Sequence, residues 1–448
     1  MFKKLKVINN VSGLQLFQIM RPLTFLIVTI FFTKTLPIED VGKFEMFMFI
    51  AGVLTFFWVT GINHSLLTLY NRNKTYNETG RNDKRKSPEI FNAFVLLSLF
   101  SILLYVFGQL LKNNFSVFHL SGDVQYINLL LLYILLSSPV CLIEFIYLLN
   151  NRSYRIVQYG LYTYIPQLAL IIIPVLIGKN FIWSIYGLIA ITLVRWIWLI
   201  ILLRRYSEIK FSIDFIKEHL YLAAPLILTT LISGSAQYID GTIISAYYKK
   251  EATFAVFRFG AKEFQLVVML STGLSTAMLS EFSTREKMKE ALFIIKEKSA
   301  RLMHLLFPAS MVAMLLARWA YPILFSSEYS KSASIFVIYL LLVIPRLVFP
   351  QTIVIGRQRT KIVLITAAVT QLINIPLSLA LIPKYNVVGV ALSTFVVYVL
   401  EKIFLIFYVN NKMRIRPVEY IPLKVFTIYS VLISILFILI DHRIIDIN

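Results

Sequence analysis

The sequence predicts an all-α polytopic membrane protein of about twelve transmembrane helices in two six-helix lobes. Three observations carry that prediction. Mean hydropathy is +0.75 and 58% of the 448 residues are hydrophobic, above the roughly 45–50% of ordinary soluble domains. Apolar runs recur near the roughly 20 residues that a bilayer core demands, without the ten-residue alternation of barrel strands. Features of the first six runs return in order in the next six.

The runs place spans at roughly 13–36, 41–62, 90–111, 125–149, 157–178, 181–203, 219–248, 252–282, 300–318, 332–356, 361–382 and 388–409, with a further apolar segment at roughly 421–440. The basic start, Met1 to Lys6, leads into the first run as a signal peptide would. No small-x-small cleavage site follows and Arg21-Pro22 interrupts the run, so it reads as an uncleaved first span. Cys141 is the single cysteine, which leaves no internal disulfide.

A formal net charge of +21 raises nucleic acid as a partner, but the Lys and Arg are scattered through short loops rather than gathered on one face. They gather on alternate loops: Lys3, Lys4 and Lys6, the Arg72 to Lys86 cluster, Arg152 and Arg155, Arg204 and Arg205, the Arg285 to Arg301 run, Arg357 to Lys361, and Lys412 to Arg416. The intervening loops hold little beyond Lys112, Lys179, Lys249, Lys250, Lys331 and Lys384. The positive-inside rule then puts the N-terminus in the cytoplasm. The polar stretch His64 to Pro88 reads as a solvated cytoplasmic loop. Ser283 to Ser299 reads as an interfacial amphipathic helix, with Ala291, Leu292, Ile294 and Ile295 at helical spacing.

The repetition is specific in its order. Glu39-Asp40-Val41 between spans one and two returns as Glu251-Ala252-Thr253 between spans seven and eight. Pro139 returns as Pro345, Gln167-Leu168 as Gln371-Leu372, and Gly187-Leu188 as Gly389-Val390. Six spans return the chain to its starting side, so the halves are parallel repeats. The expected division is a lobe at 1–205, a lobe at 206–415 and an additional hydrophobic segment at 416–448. At the same offset Arg21-Pro22 falls on Ser233-Gly234. Pro removes a backbone donor and Gly loosens a helix, so Pro22 and Gly234 are candidate hinges, with packing irregularity as the plainer reading.

Enzyme signatures are absent. The five His residues share no helical face, no Cys/His cluster offers a metal site, and neither a phosphate-binding Gly loop nor a G-x-S-x-G is present. No cofactor, metal or catalytic residue is expected. What remains is charge inside the spans, which is a functional hypothesis by default. Arg21, Arg258, Lys262 and Arg346 are the candidate substrate-binding cations, and Asp240, Glu144 and Glu263 the candidate coupling groups or counter-charges. Arg258 and Lys262 stand four apart, hence on one helical face. Arginine's planar fork suits phosphate oxygens, so a cationic interior suits an anionic ligand. Asp240 reads either as the partner of a nearby Arg or as a proton- or sodium-coupling group. Arg195, beside Trp196 and Trp198 near a span end, reads as snorkelling to headgroups, and Glu401-Lys402 as interfacial.

The first span with LPIEDVGKFEMFMFI, then APLILTTLISGSAQYIDGTIISAYY with EATFAVFRFGAKEF, and finally IPKYNVVGVALSTFVVYVLEK together resemble the oligosaccharide-lipid flippases. These are the O-antigen and capsular repeat-unit exporters of the MOP superfamily, which also holds the multidrug MATE exporters and the lipid II flippase. The resemblance implies a MATE-like V-shaped bundle that opens alternately to each side. It further implies movement of an undecaprenyl-diphosphate-linked oligosaccharide across the bacterial inner membrane, for lipopolysaccharide O-antigen or capsule. Arg21, Arg258 and Lys262 occupy spans whose basic residues line the cavity in the lipid II branch. Implied partners are the lipid-linked substrate, membrane lipids, H+ or Na+ if transport is coupled, and a polysaccharide polymerase with chain-length machinery. Two rivals stay open: a cation-coupled multidrug exporter of the same fold, which expects an acidic cavity, and a membrane-embedded polysaccharide polymerase, which expects a long outer loop.

Overall fold

The computed structural model describes residues 10–77, 86–111, 124–150, 152–279, 281–283, 288–357 and 359–445. The basic N-terminus, most of the Arg72 to Lys86 cluster and the start of the 283–299 segment lie outside the described residues or have undescribed side chains. The rest is mostly helical, and among the described residues the sole β-type pairing is an isolated bridge between Ser87 and Ser207. Among the described residues eleven helical stretches are long and apolar enough to cross a membrane. The chain divides into two compact units, Met1–Ser235 and Ala236–Asn448.

The first unit contains α1 (Asn10–Thr35), α2 (Ile38–Asn77), α3 (Pro88–Leu111), α4 (Val124–Val140), α5 (Leu142–Leu149), α6 (Ser153–Leu176), α7 (Phe181–Tyr206) and α8 (Ile213–Gly234). Its core gathers Trp58, Ile62 and Leu66 of α2 with Leu96 and Leu97 of α3, Ile143 and Ile146 of α5, and Leu199 of α7. The turn into α8 is fixed by polar groups rather than by apolar packing. Buried Asn92 donates to the carbonyls of Pro88 and Lys210 and accepts from the Ser212 amide, all at 2.8–2.9 Å. Ser212 in turn caps α8 by accepting from the Phe215 amide at 3.2 Å, which satisfies one of the helix's orphan donors.

The second unit contains α9 (Ala236–Tyr248), α10 (Glu251–Gly260), α11 (Gln265–Leu279), α12 (Met288–Leu324), α13 (Ser330–Leu340), α14 (Val343–Arg346), α15 (Pro350–Gly356), α16 (Thr360–Tyr385), α17 (Val387–Met413), α18 (Pro417–Tyr420) and α19 (Leu423–Ile445). The last helix carries the segment 423–440, which is long and apolar enough to cross. Its Tyr429 stacks on Phe307 of α12 with centroids 5.3 Å apart and hydrogen-bonds His304.

The paired glycines of the repeat have a common steric role. A Cβ on Gly187 of α7 would lie 2.2 Å from the Leu170 carbonyl oxygen of α6, and one on Gly389 of α17 would lie 2.7 Å from the Leu381 backbone of α16. Each lets the sixth helix of its half press on the backbone of the fifth, where small residues permit close approach in membranes. Leu99, Leu103, Phe107 and Leu110 of α3, and Val431, Ile435 and Leu439 of α19, remain exposed. Such apolar faces would be an aggregation hazard in water and suit lipid.

Three sequence expectations are corrected. The stretch expected as a solvated loop from His64 is helical as far as Asn77, because α2 runs on past the apolar run with Ser65, Leu66 and Leu69 buried. The segment 283–299 and the following span are not separate helices: α12 runs unbroken for 37 residues from Met288. Ala291, Leu292, Ile295, Ser299, Met303, Leu306 and Phe307 continue one buried stripe at three- and four-residue steps, with no breaker between them. The eighth span, in contrast, is not continuous. Gly260 closes α10, residues 261–264 are non-helical, and α11 begins at Gln265.

Candidate functional site

The interrupted helices position the charged side chains of the second unit. Gly260 packs where a Cβ would meet Ser332's carbonyl oxygen and Ile335 at 2.5 Å, so α10 ends pressed against α13. Beyond it the Ala261 amide reaches the Phe257 carbonyl and the Lys262 amide the Gly260 carbonyl, both at 2.7 Å. The tenth span is also broken. Residues 341–342 and 347–349 separate α13, α14 and α15, in a stretch whose Pro345 and Pro350 supply no backbone donor.

An ion pair joins the two interruptions. Arg346 donates through Nε at 2.8 Å and Nη2 at 2.6 Å to the two carboxylate oxygens of Glu263, the bidentate geometry of the stronger guanidinium pairs. Its guanidinium also lies 5.3 Å from the centroid of the Tyr398 ring in α17. One turn along α17, Lys402 donates to Gln351 at 3.2 Å. Lys402 therefore engages the helix beside the break, where the sequence reading made it interfacial.

Asp240 of α9 is 5% exposed and is held by neutral groups alone. Tyr339 and Thr394 donate to Oδ2 at 2.7 and 2.5 Å, and Asn374 donates to Oδ1 at 2.9 Å. Asn374 is itself fixed, since its Oδ1 accepts from Ser393 at 2.7 Å and Ser378 at 3.3 Å. Among the described residues no Lys or Arg reaches Asp240. The partner-of-an-arginine reading is thus replaced by a carboxylate in a cage of hydroxyl and amide donors.

Arg258 and Lys262 do not share a helical face. Arg258 lies in the last turn of α10, and Lys262 follows the helix end. A shared face needs an unbroken helix, and α10 ends at Gly260. Both side chains are half-buried, and Lys262 Nζ lies 5.1 Å from the Phe259 ring centroid.

In the first unit Arg21 is exposed on α1, and Glu144 on α5 is half-buried. Glu144 lies within electrostatic reach of both Arg21 and Arg195. Arg195 does not extend away from the unit to snorkel. Its Nη2 donates at 2.6 Å to buried Gln167 of α6, and its guanidinium lies 5.1 Å from the Tyr164 ring centroid. The candidate hinges differ from each other: α1 continues helically through exposed Pro22, whereas the seventh span stops at Gly234 and resumes at Ala236. Gly234 sits where a Cβ would come within 2.7 Å of the Phe56 ring.

The residues that sequence reasoning missed are Tyr339, Asn374, Thr394, Gln167 and Tyr164. Their one local signal is polarity inside an apolar run, as in Asn374 within QLINIPLSLALIP. Polar groups in such runs must find partners, which marks them as network members without saying whose.

The chain folds like the lipid II flippase MurJ in an inward closed conformation, with a TM-score of 0.67 and 18% identity over 97% of this chain and 93% of that one. It is also similar to a multidrug resistance MATE family transporter of the MOP superfamily in an inward-facing conformation, with a TM-score of 0.63 and 14% identity over 91% and 98% of the two chains. A third likeness is a MOP superfamily transporter from Pyrococcus furiosus described by the reverse polarity of its binding pocket, with a TM-score of 0.54 and 13% identity over 92% and 95%. No curated protein matches. At these identities the likeness establishes the fold alone, one shared with the MurJ and MATE structures. The family model described as polysaccharide biosynthesis protein matches residues 33–334, about two thirds of the sequence, and the chain therefore belongs to that family.

Proposed function

We propose that the protein is a flippase that carries an undecaprenyl-diphosphate-linked oligosaccharide repeat unit across the bacterial inner membrane for surface polysaccharide, O-antigen or capsule, with its N-terminus cytoplasmic. The observation that carries this reading is a polysaccharide-biosynthesis family match on a chain folded like a lipid II flippase. An excess of cations within the spans supports it, since a diphosphate is the charged part of such a lipid. Arg21 in the first unit and Arg258 and Lys262 in the second are the proposed phosphate-binding groups, with Arg346 available to phosphate on exchange from Glu263. The proposed lobes remain 1–205 and 206–415, with 416–448 appended, and Pro22 and Gly234 as hinges.

Asp240 is the proposed coupling group. A buried carboxylate whose partners are two hydroxyls and an amide can take up a proton or a small cation without first breaking an ion pair. A structural counter-charge would be matched to an arginine, as Glu263 is to Arg346.

The polysaccharide polymerase reading has no observation in its favour. Multidrug export is kept as the second reading because MATE transporters share the fold. The two are separated by genetics: in a bacterium whose own repeat-unit flippase is deleted, this gene should restore surface polysaccharide and leave drug susceptibility unchanged. Raised drug tolerance without polysaccharide would favour the exporter.

A further inference from the structure

The two units treat the charges within their spans differently. In the second, Glu263 and Arg346 close into a bidentate pair at 2.6 and 2.8 Å. In the first, Glu144 is flanked by Arg21 and Arg195 within electrostatic reach, yet its carboxylate makes no hydrogen bond or ion pair with any described residue. An ion pair kept for stability gains by closing, because Coulomb attraction grows as separation and local dielectric fall. This one is held open.

Arg195 is held open by its own contacts. Gln167, 1% exposed, takes Nη2, and the Tyr164 ring lies beneath the guanidinium plane. These two contacts orient the fork while using one of its five donors. Nε is buried with no hydrogen-bond partner, and Nη1 makes none with a described residue. A buried donor left unmade costs free energy that an arriving acceptor returns. Arg21, exposed on α1, likewise makes no hydrogen bond or ion pair with any described residue. Two guanidiniums with donors to spare and one carboxylate within electrostatic reach of both, at a net charge of +1, form a site prepared for an anion.

We propose that Arg195 is a second phosphate-binding cation beside Arg21, and that Glu144 weakens the site so that a bound phosphate anion can leave again. This rests on the flippase reading and deepens it, since the chemical class is a phosphate ester or anhydride, with the diphosphate of the carried lipid as the assigned source. A transport site must hold its cargo strongly enough to load and weakly enough to release, and a carboxylate near the phosphates sets that balance by repulsion. Gln167 and Tyr164 are positioning residues, which act by fixing the Arg195 plane.

The test is binding of undecaprenyl diphosphate to the full chain in phosphatidylcholine nanodiscs. Arg195→Gln should weaken binding about ten- to a hundredfold, as expected for losing one charge-assisted phosphate contact. Arg195→Lys should fall between, since it keeps charge without the fork. Glu144→Gln should tighten binding and slow release, an effect of opposite sign that misfolding cannot produce. Unchanged binding in both Arg195→Gln and Glu144→Gln, with wild-type affinity intact, overturns this site and leaves the flippase reading standing. Absence of wild-type binding overturns both. In a second arm phosphatidylglycerol replaces part of the phosphatidylcholine: failure to compete supports the carried lipid as the source, and equal competition overturns that assignment in favour of ordinary headgroups.

Discussion

Arg346 and Glu263, 83 positions apart in sequence, bind each other through two hydrogen bonds at the interruptions of two different spans. The pair ties the non-helical 261–264 segment to the end of α14, and Tyr398 lies against the arginine. Discontinuous spans leave backbone groups without helical partners, a state tolerated in membranes where protein or a cavity replaces them. The ion pair fixes those segments relative to one another within the second unit.

Breaking one partner of that pair should cost more than removing both. Arg346→Ala leaves Glu263 with a half-desolvated charge, whereas Glu263→Ala with Arg346→Ala leaves none. A double-mutant cycle on thermal unfolding in detergent should give a coupling of about 1–3 kcal/mol. Additive single effects would show that the pair contributes no stability.

Asp240 should separate ion coupling from folding. Asp240→Asn keeps the side-chain volume and accepts from Tyr339 or Thr394, so the protein should fold, while transport loses its dependence on the proton or sodium gradient. Asp240→Leu leaves the Tyr339, Thr394 and Asn374 donors unsatisfied, at about 1–3 kcal/mol each. A gradient dependence equal to wild type in Asp240→Asn would remove Asp240 from coupling.

Glycine substitutions should divide by the space around them. Gly187→Ala drives a methyl into the Leu170 carbonyl, where the nearest approach is 2.2 Å, and backbone has little freedom to yield. A loss of about 1–3 kcal/mol is expected. Gly273 of α11 has nothing within 4 Å of its Cβ position. Gly273→Ala should therefore be neutral or stabilise by up to about 1 kcal/mol through helix propensity. Thermal unfolding of the two variants side by side checks the contrast.

The fold was largely legible in the sequence, and the site was not. Span positions follow from apolar run length, so α3, α7, α16 and α17 lie within a few residues of their expected bounds. The repeat match of Gly187 with Gly389 proved to be a shared steric role. The break at Gly260 was missed because glycine is common in membrane helices and its signature, contact with α13, lies more than 70 residues away. The cage around Asp240 draws on Tyr339, Asn374 and Thr394, which are 99, 134 and 154 positions distant. No local pattern encodes such a convergence. Arg195 was misjudged for the same reason, since depth and neighbouring tryptophans favoured snorkelling while Gln167 and Tyr164 decided the outcome.

Loop charge predicts orientation. A reporter inserted between Arg72 and Lys86 should be cytoplasmic, and one inserted at Lys249 or Lys250 should be on the outer face. The opposite result at either point would invert the assigned topology and with it the direction of transport.

The most direct measurement is translocation itself. The full chain is reconstituted in vesicles with an undecaprenyl-diphosphate-linked oligosaccharide, and the sugar reaching the far leaflet is counted by its sensitivity to an added glycosidase. The account predicts protein-dependent exposure of the sugar, strongly reduced by Arg258→Ala or Lys262→Ala at equal protein content, with no accumulation of a cationic dye. Failure to move the lipid-linked sugar while a cationic dye is pumped would contradict it.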